Sequence, residues 1–540
     1  MPSITGGAAV VQSLINHGVD TIFGLPGVQN DQLYNALYDA GDQIRVIHTR
    51  HEQGAAYMAL GYALASDRVG VYSVVPGPGF LNTTAALSTA YATNARVLCL
   101  TGQIRSDQIG RGYGMLHEIP DQLTILRSLT KWAERVPSAA DAPLFVAAAF
   151  NELYSDRPQP VGLEVPPDVL AATADVDLTP PKLTPRRPQV DAVVVDHAAA
   201  LLSRARNPLI FVGGGAQGAS AAVKELAELL QAPVIASYNG RGVVDSRHPL
   251  SFTLPAGHRR WAHADVVIAI GTRLSRQLLD WGVDDDLTLI RIDVDPAEMT
   301  RVHVPDAGIV ADAADGVPAL VAAVREHTSG FASRAEEMAE LHAEIDAEFA
   351  KISPQIDYLH LLREELPEEG IYVDELTQVG YLGRVAWPVY HPKSYITNGY
   401  QGTLGWGVAT ALGVKVANPD RPVLAVSGDG GFLFTATELA TAVQHNIATV
   451  TVVFNDGAYG NVRRMQQQQY GNRVIATALR NPDFVKLAES FGAQGLRAES
   501  FAELRDAVRR GLDSGVPTVI DVPVGEMPSP WAFIHPGRVR

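Results

Sequence analysis

The sequence predicts an α/β protein built from three doubly wound, parallel-sheet domains. Short apolar runs rich in β-branched residues alternate with helical patterns, and glycine-rich or polar turns follow the runs. At 540 residues the chain is too long for a single hydrophobic core. Residues 160–166 and 517–523 are similar proline-flanked strand patterns, which indicates that the first and last domains share a topology.

The domain boundaries follow from changes in composition. We expect a first domain at residues 1–174 and a proline-rich linker at residues 175–188. A second domain would span residues 189–326. A charged helical connector, with its helix at residues 333–351, would lead to a third domain at residues 354–540.

Charge and composition exclude several classes of function. The net charge is −16, from 43 basic and 59 acidic residues, and no basic tract is present, so neither nucleic acid nor an anionic membrane is an expected partner. Cys99 is the single cysteine and lies in an apolar run, which predicts a buried thiol in a reducing compartment. No signal-peptide pattern or membrane-spanning run occurs, so we expect a cytoplasmic protein.

The first domain begins with a predicted helix and continues with alternating strands and helices. The predicted elements are a helix at residues 3–17, a strand at 21–24, a helix at 31–38, strands at 45–48, 69–75 and 96–101, and a small-residue helix at 54–65. Glu52 stands at the start of that last helix, where it is either a functional carboxylate or a residue that favours the helix dipole. His117 is either a group that positions or protonates a substrate or an ordinary histidine at the rim of the core.

The middle domain contains a glycine-rich turn. A strand at residues 208–212 is followed by Gly213 to Gly218, which fits the G-x-G-x-x-G pattern of dinucleotide-binding proteins. That pattern also requires an acidic residue after the next strand, at residues 233–236, and Ser237 follows it instead. A nucleotide-binding oxidoreductase therefore remains only a distant alternative.

The third domain carries the most specific pattern in the chain. A strand at residues 423–426 leads to Gly428-Asp429-Gly430-Gly431, a helix is predicted at 435–444, and a strand at 449–454 ends at Asn455-Asp456-Gly457. Either turn alone could be structural, as a helix cap or a tight turn. Together they place hard oxygen ligands at adjacent strand ends across one crossover, which favours a divalent cation that bridges a diphosphate.

These residues resemble the motif of the thiamine-diphosphate (ThDP) enzyme family, which is Gly-Asp-Gly followed after fewer than thirty residues by Asn-Asn. The resemblance implies that Asp429, Asp456 and the backbone carbonyl of Ala458 ligate Mg²⁺, with Asp456 in place of the family's second Asn. It also implies that Glu52 bonds the cofactor's aminopyrimidine and helps to remove the thiazolium proton. Further residues that the resemblance assigns to the cofactor are Asn82, Thr377, Gln378, Gly402, Leu404, Gly428, Gly430, Gly431 and Tyr459. Leu404 would hold ThDP in its bent form, although a core leucine would look the same.

Within that family the chain is similar to the acetolactate synthase branch. The similarity rests on Pro26-Gly27, residues 51–56, Gly77-Pro78-Gly79 with Asn82, and Thr101-Gly102-Gln103. Three positions depart from the branch. Val28 replaces a Gly, Pro167 replaces a Lys near the substrate, and His117-Glu118 replaces Gln-Glu. The segment after Arg273 also lacks the branch's acidic-basic pattern, so FAD is possible but doubtful.

The resemblance implies an enzyme that decarboxylates a 2-oxo acid to an enamine and ligates it to a second carbonyl, as acetolactate synthase does. The departures at His117 and Pro167 favour an alternative, a simple decarboxylase that releases an aldehyde, for instance from a guanidino 2-oxo acid. A ThDP-binding module without activity is disfavoured by the intact Glu52 and Asp429. The family also implies a homodimer or homotetramer in which Glu52 meets cofactor held mainly by another subunit.

Overall fold

The structure is a computed structural model that describes residues 1–179, 181–328 and 330–540. Pro180 of the predicted linker and Ser329 of the predicted connector lie outside the described residues. The chain forms two compact units. The first unit contains residues 1–186, 398–459 and 472–523, and the second contains residues 187–397, 460–471 and 524–540.

The first sheet lies wholly in the first unit, with six parallel strands in the order β3-β2-β4-β5-β7-β6. Strand β1 pairs antiparallel with β8 outside this sheet. The elements are β1 (Ser3–Thr5), α1 (Gly6–Asn16), β2 (Thr21–Gly24), α2 (Asp31–Ala40), β3 (Arg45–His48), α3 (Glu52–Leu64), β4 (Gly70–Val74), α4 (Pro78–Leu81), α5 (Thr84–Thr93), β5 (Val97–Gly102), α6 (Gln122–Leu129), β6 (Trp132–Arg135), α7 (Ala142–Tyr154), β7 (Val161–Val165), α8 (Pro167–Ala171) and β8 (Thr173–Asp175).

The second unit contains the middle sheet, with six parallel strands in the order β11-β10-β9-β12-β13-β14. This is the strand order of dinucleotide-binding folds. The elements of this part of the chain, of which β15 and β16 belong to the third sheet, are α9 (Ala192–Leu202), β9 (Pro208–Val212), α10 (Ser220–Leu230), β10 (Val234–Ala236), β11 (Ser251–Thr253), α11 (Leu254–Trp261), β12 (Val266–Ile270), β13 (Thr288–Asp293), β14 (Ala307–Val310), α12 (Ala313–His327), α13 (Ala335–Phe349), α14 (Gln355–Glu365), β15 (Ile371–Val373), α15 (Gln378–Ala386) and β16 (Tyr395–Ile396).

The remaining elements complete the third sheet, the last of the three six-stranded parallel sheets, so the predicted α/β fold class is confirmed. Helices α19 and α22 belong to the second unit and the other elements of this group to the first. They are α16 (Gly407–Ala417), β17 (Val423–Gly428), α17 (Asp429–Thr435), α18 (Leu439–Gln444), β18 (Val450–Asn455), α19 (Gly460–Gln469), α20 (Phe484–Ser490), β19 (Gln494–Arg497), α21 (Phe501–Asp513), β20 (Thr518–Pro523) and α22 (Trp531–Ile534).

The first and third sheets repeat one topology, as the paired proline-flanked strands predicted. In the first sheet, strands β4-β5-β7-β6 are neighbours in that order, and β17-β18-β20-β19 follow the same pattern in the third. The preceding strands also correspond, because β2 pairs with β3 and β15 pairs with β16. In both sheets the proline-flanked strand, β7 or β20, therefore occupies the same position.

Burial explains the strand sequences. Strand β17 reads Val-Leu-Ala-Val-Ser-Gly and its first five residues are buried, as expected for a parallel strand covered by helices on both faces. Helix α21 instead buries one stripe, formed by Leu504, Ala507, Val508 and Gly511, at the spacing of a helix that faces the core on one side. None of the helices within the described residues has the length and apolar character needed to cross a membrane.

Two predicted helices begin elsewhere in the structure. Residues 3–5 form β1, and α1 starts only after Thr5, whose side chain accepts a hydrogen bond from the N–H of Ala8 at 3.2 Å and so caps the helix. The helix predicted at residues 435–444 is preceded by another, since α17 starts at Asp429 directly after the strand and the chain continues through a 3₁₀ turn into α18. Gly430 and Gly431 therefore lie within a helical turn.

Candidate active site

The two polar turns of the third domain leave the sheet at the same edge. Strands β17 and β18 are parallel neighbours, and their register pairs Gly428 with Phe454. Asp429 follows the first of these residues directly and Asp456 follows the second by two positions. The two carboxylates that the sequence spacing singled out thus start from adjacent strand ends.

The carboxylate of Asp429 is buried, with 2% of the residue exposed. Its Oδ2 accepts a hydrogen bond from Nδ2 of Asn481 at 2.6 Å. Backbone N–H groups of Gly430 and Gly457 also donate to this carboxylate. Burial raises the pKa of Asp429 above its ordinary value, and these hydrogen bonds offset part of the rise. Because Gly457 belongs to the second turn, Asp429 connects the two turns directly.

The second turn is held by its own hydrogen bonds and by a later segment. Oδ1 of Asp456 accepts from the N–H of Ala458 at 3.1 Å, which forms an Asx turn. The N–H of Tyr459 donates to Thr477 at 2.9 Å, and the N–H of Leu479 donates to Gly457 at 2.8 Å. Ala458 therefore lies between two backbone hydrogen bonds to the segment at residues 477–479.

Gly430 is required by the approach of an aromatic ring. A Cβ atom at this position would lie 2.6 Å from Cε1 of Tyr459, which is closer than two carbon atoms can pack. The half-buried ring of Tyr459 thus packs against Gly430 at the start of helix α17.

This donor set fits a magnesium ion bound together with a diphosphate. Asp429, Asp456 and the carbonyl of Ala458 supply oxygen ligands, which hard cations prefer. Among the described residues no group of three or more His, Cys, Asp and Glu side chains could hold a metal by itself. A cation here would need further oxygens from water and a diphosphate, as is usual for Mg²⁺. The start of helix α17 adds N–H groups that suit an anion.

Glu52 lies at the first position of helix α3 and is half-buried. Its Oε2 accepts a hydrogen bond from Nδ2 of Asn82 at 3.0 Å. His51 precedes it and caps the helix, since Nδ1 of His51 accepts from the N–H of Gln53 at 3.1 Å. The structure therefore brings together Glu52 and Asn82, which the sequence had placed in the same cofactor site.

The start of helix α3 is supported by a buried acid, Glu438, which the sequence analysis did not identify. Its two carboxylate oxygens accept hydrogen bonds from the N–H groups of Arg50 at 3.1 Å and His51 at 3.0 Å. The hydroxyl of Thr441 donates to it at 2.6 Å. A Cβ at Gly54 would lie 2.3 Å from Oε1 of Glu438, so only glycine admits the carboxylate here. Burial raises the pKa of Glu438.

His117 has a defined orientation. Nε2 of Gln29 donates to the carbonyl of Leu116 at 3.0 Å, so Oε1 of Gln29 faces Nδ1 of His117 at 3.0 Å and accepts its proton. In the neutral ring Nε2 is then the acceptor. His117 adopts a left-handed backbone with φ of 67°, and its carbonyl packs on Gly77, where a Cβ would lie 2.3 Å away.

The carboxylate of Glu52 and the backbone carbonyl of His117 lie next to the same turn, Gly77-Pro78-Gly79. A Cβ at Gly79 would lie 3.5 Å from Oε1 of Glu52. The turn is fixed from the other side because the N–H of Gly77 donates to buried Gln122 at 2.8 Å. Gln122 in turn donates to the buried carboxylate of Glu164 at 2.9 Å.

Gly402 and Leu404 precede helix α16 in the first unit. Gly402 has a positive φ of 59° and open space where a Cβ would stand. Leu404 is half-buried, unlike the fully buried leucines of the core. The hydroxyl groups of Thr403 and Thr89 share a hydrogen bond at 2.7 Å, which joins this segment to helix α5.

Thr377 and Gln378 belong to the second unit. The hydroxyl of Thr377 caps helix α15 by accepting from the N–H groups of Val379 at 3.1 Å and Gly380 at 2.9 Å. Oε1 of Gln378 accepts from the N–H of Met527 at 2.8 Å, and its Nε2 donates to Gly525 at 3.2 Å. Gln378 is therefore tied to the last segment of the chain.

The glycine-rich turn of the middle domain packs against the chain itself. The N–H of Gly215 donates to Gly271 at 3.1 Å, and a Cβ at Gly213 would lie 2.2 Å from that same carbonyl. Close approach of another backbone segment therefore explains these glycines without a nucleotide. Strand β10 ends before Ser237, where a ribose-binding acid would be needed. These residues show no fit to FAD.

The additional polar residues of the site, Asn481, Glu438 and Gln29, come from distant parts of the sequence. For Glu438 the sequence offered one indication, because it is an acidic residue among the small and apolar residues of a predicted helix. Asn481 and Gln29 lie in polar or glycine-containing segments, where nothing distinguishes them from ordinary loop residues. Only the three-dimensional contacts identify these two.

Fold and site together define a class of protein. Repeated parallel sheets at the two ends of the chain carry an acidic turn pair suited to Mg²⁺ and diphosphate, and a carboxylate at a helix start. Family models agree with this class. The thiamine pyrophosphate enzyme N-terminal, central and C-terminal domains match residues 4–125, 195–320 and 378–522. The chain belongs to the thiamine pyrophosphate enzyme family.

Curated relatives align along nearly the whole chain. A probable 2-ketoarginine decarboxylase of Pseudomonas aeruginosa is 34% identical, over 96% of this chain and 94% of its own. A probable acetolactate synthase large subunit of Methanocaldococcus jannaschii is 32% identical, over 96% and 91%. The acetolactate synthase isozyme 2 large subunit of Escherichia coli is 30% identical, over 99% and 98%. The expected likeness to acetolactate synthases is thus confirmed, and a decarboxylase is similar as well.

Proposed function

We propose that the protein is a ThDP- and Mg²⁺-dependent enzyme that decarboxylates a 2-oxo acid and releases the corresponding aldehyde. The observation that carries this proposal is the orientation of His117: its Nδ1 faces Oε1 of Gln29 at 3.0 Å, and its backbone carbonyl lies against Gly77, in a turn that also lies next to Glu52. The sequence resemblance alone favoured ligation to a second carbonyl. The defined orientation of His117 favours protonation instead.

When bound, ThDP supplies a carbon nucleophile that attacks the 2-oxo group and accommodates the negative charge left by loss of CO₂. The chain's own residues would hold it. Asp429, Asp456 and the carbonyl of Ala458 would ligate the cation at the diphosphate, and Gly428 with helix α17 would offer N–H groups. Leu404, Tyr459 and Gly402 are proposed to complete the binding site within the first unit, and Thr377 and Gln378 stay predictions from the sequence.

Glu52 would act at the opposite end of the cofactor. A carboxylate oriented by Asn82 can donate and accept a proton at a ring nitrogen while its position stays fixed. Glu438 keeps the start of helix α3 in place through the N–H groups of Arg50 and His51. Glu52 therefore has the fixed geometry that proton transfer requires.

His117 would supply the proton that completes the reaction. With Nδ1–H directed to Gln29, protonated His117 presents its second proton at Nε2. Replacement of CO₂ by this proton converts R–CO–COO⁻ and H⁺ into R–CHO and CO₂. In the resembled synthases a Gln occupies this position, and its amide has no acidic proton to transfer.

Carboligation is the second candidate, and several full-length relatives named acetolactate synthase support it. A substrate panel distinguishes the two. Protein with Mg²⁺ and ThDP is incubated with pyruvate, longer aliphatic 2-oxo acids and a 2-oxo acid that ends in a guanidino group, and CO₂, aldehyde and ligated products are quantified. We expect one aldehyde for each CO₂. One ligated product for every CO₂ would reject aldehyde release and establish carboligation.

His117→Gln, which installs the residue of the resembled synthases, is the matched variant for this panel. We expect it to keep ThDP bound and to lower the rate of aldehyde release by about 10²-fold, which is the usual contribution of a general acid. An unchanged rate would remove His117 from the mechanism. Asp429→Ala, which removes the ligand oxygens, serves as the control that loses cofactor altogether.

A homodimer is the smallest assembly that we propose. Large apolar side chains are exposed on the first unit, including Val28, Leu116 and Phe434. Contact with a second copy would cover such residues, as expected for an obligate interface. Sedimentation at micromolar concentration should give twice the chain mass of 57.8 kDa or a multiple of that value. A fully active monomer would contradict the proposal.

A further inference from the structure

We propose that Asn481 is a positioning residue for the divalent cation: it fixes the carboxylate of Asp429 and makes residues 477–481 part of the cation site. This inference rests on the ThDP and Mg²⁺ component of the proposed function and is independent of the substrate.

The orientation of the Asn481 amide follows from its partners. Nδ2 donates to Oδ2 of Asp429 at 2.6 Å and to Oδ1 of Asn455 at 3.0 Å. An amide nitrogen carries two protons, and both are used in these bonds. The opposite orientation would set the amide oxygen against a carboxylate and a carbonyl, with no proton between them. Asn481 therefore links the end of strand β18 to the first residue of helix α17.

The Asn455 end of this link is anchored to the sheet. Nδ2 of Asn455 donates to Oδ1 of Asp521 at 3.1 Å, and Asp521 is 1% exposed. The other oxygen of Asp521 accepts from Nη2 of Arg497 at 3.0 Å. Because β18, β20 and β19 are neighbouring strands, this chain of polar groups is attached to the sheet itself. Asp429 thus takes its orientation from a rigid part of the fold.

Residues 477–481 are joined to the second turn as well. Thr477 accepts from the N–H of Tyr459, and the N–H of Leu479 donates to Gly457. Three ties, two through the backbone and one through Asn481, therefore hold this segment against both turns that carry the proposed ligands. Ordering of either turn by a cation would be transmitted to the segment.

The chemistry of an amide suits this position. The hydrogen bond from the neutral amide holds the carboxylate oxygen of Asp429 in place without adding charge. A lysine would also stabilise the carboxylate, but its charge would repel the cation. Groups that orient metal ligands in this way usually change metal affinity by about 10- to 100-fold when they are removed.

The test measures Mg²⁺ affinity rather than turnover. Binding of ThDP is followed by equilibrium dialysis at a fixed ThDP concentration while Mg²⁺ is varied, for the full-length protein and for Asn481→Leu and Asn481→Ala. Asn35→Ala is the matched control, since Asn35 is exposed on helix α2, outside both turns. We expect the Mg²⁺ midpoint to rise at least 10-fold in both Asn481 variants and to stay unchanged in the control.

A midpoint unchanged in the Asn481 variants, even with a lower melting temperature, would show that Asn481 is only structural and would overturn the proposal. A wild-type protein that takes up no ThDP at any Mg²⁺ concentration would instead reject the proposed function.

Hydrogen exchange of the wild type gives a second measurement that does not depend on the variants folding. Adding Mg²⁺ to protein with ThDP should slow exchange at the amides of Tyr459 and Leu479. Protection of residues 429–431 without these two amides would also overturn the proposal.

Discussion

Glu438→Gln should loosen the start of helix α3 without changing the size of the side chain. The carboxylate of Glu438 accepts three hydrogen bonds, from the N–H groups of Arg50 and His51 and from the hydroxyl of Thr441. An amide has one oxygen, so its NH₂ group would face one of the two N–H donors. At least one of these partly buried N–H groups then loses its acceptor.

The magnitude follows from that loss. Hydrogen bonds to a charged acceptor are worth about 1.5–3 kcal/mol. We therefore expect local opening at residues 50 and 51 to become easier by about 2–3 kcal/mol. Since 1.4 kcal/mol is a factor of ten, exchange of these two amides should accelerate by about 30- to 150-fold.

The assay is native-state hydrogen exchange at pH 8. Glu489→Gln, at an exposed position of helix α20, is the matched control and should leave residues 50 and 51 unchanged. Because Glu52 directly follows His51, we also expect the Glu438 variant to lose turnover. Exchange within threefold of the wild type at both amides would refute the support that we assign to Glu438.

Three further predictions address other groups. Glu52→Gln should keep ThDP bound and lose most turnover, because the amide cannot transfer the proton; a wild-type rate would exclude Glu52 from the mechanism. Burial raises the pKa of Asp374 to about 6 from 3.8, so the native state binds this proton more tightly than the unfolded state does. The contribution of Asp374 to stability should therefore fall as pH rises from about 4 to about 6. The difference in melting temperature between wild type and Asp374→Asn should change across that window and stay constant above it; a constant difference throughout would contradict the assignment. Burial raises the pKa of the Cys99 thiol to about 12, so a thiol reagent at pH 8 should label only unfolded protein, and rapid labelling of native protein would contradict this burial.

The strands were the most predictable part of the fold. The bounds predicted for β2, β3 and β9 agree with the structure residue by residue, because short β-branched runs end at glycine or polar turns. Helix starts were less predictable. At Thr5 a cap and a strand pairing override a continuous helical pattern, and at Asp429 the helix begins six residues before the predicted start at residue 435. The domain boundaries at residues 174, 189, 326 and 354 stay predictions.

The candidate site was predictable where its residues directly follow the ends of strands. Asp429 and Asp456 meet because neighbouring parallel strands end at one edge, a relation that spacing alone can suggest. Asn481 and Gln29 were not predictable, because their partners lie 52 and 88 residues away in the sequence. Hydrogen bonds of that separation depend on how the helices and loops pack, which a single sequence does not reveal.

Binding of the cofactor tests the central claim most directly. Titration calorimetry of freshly prepared protein with ThDP, in the presence of Mg²⁺, should give one binding event per chain. Excess chelator should abolish it, as should Asp429→Ala, which removes the ligand oxygens. No heat of binding with Mg²⁺ present, or equal binding after chelation, would contradict a cation-anchored ThDP site formed by Asp429 and Asp456.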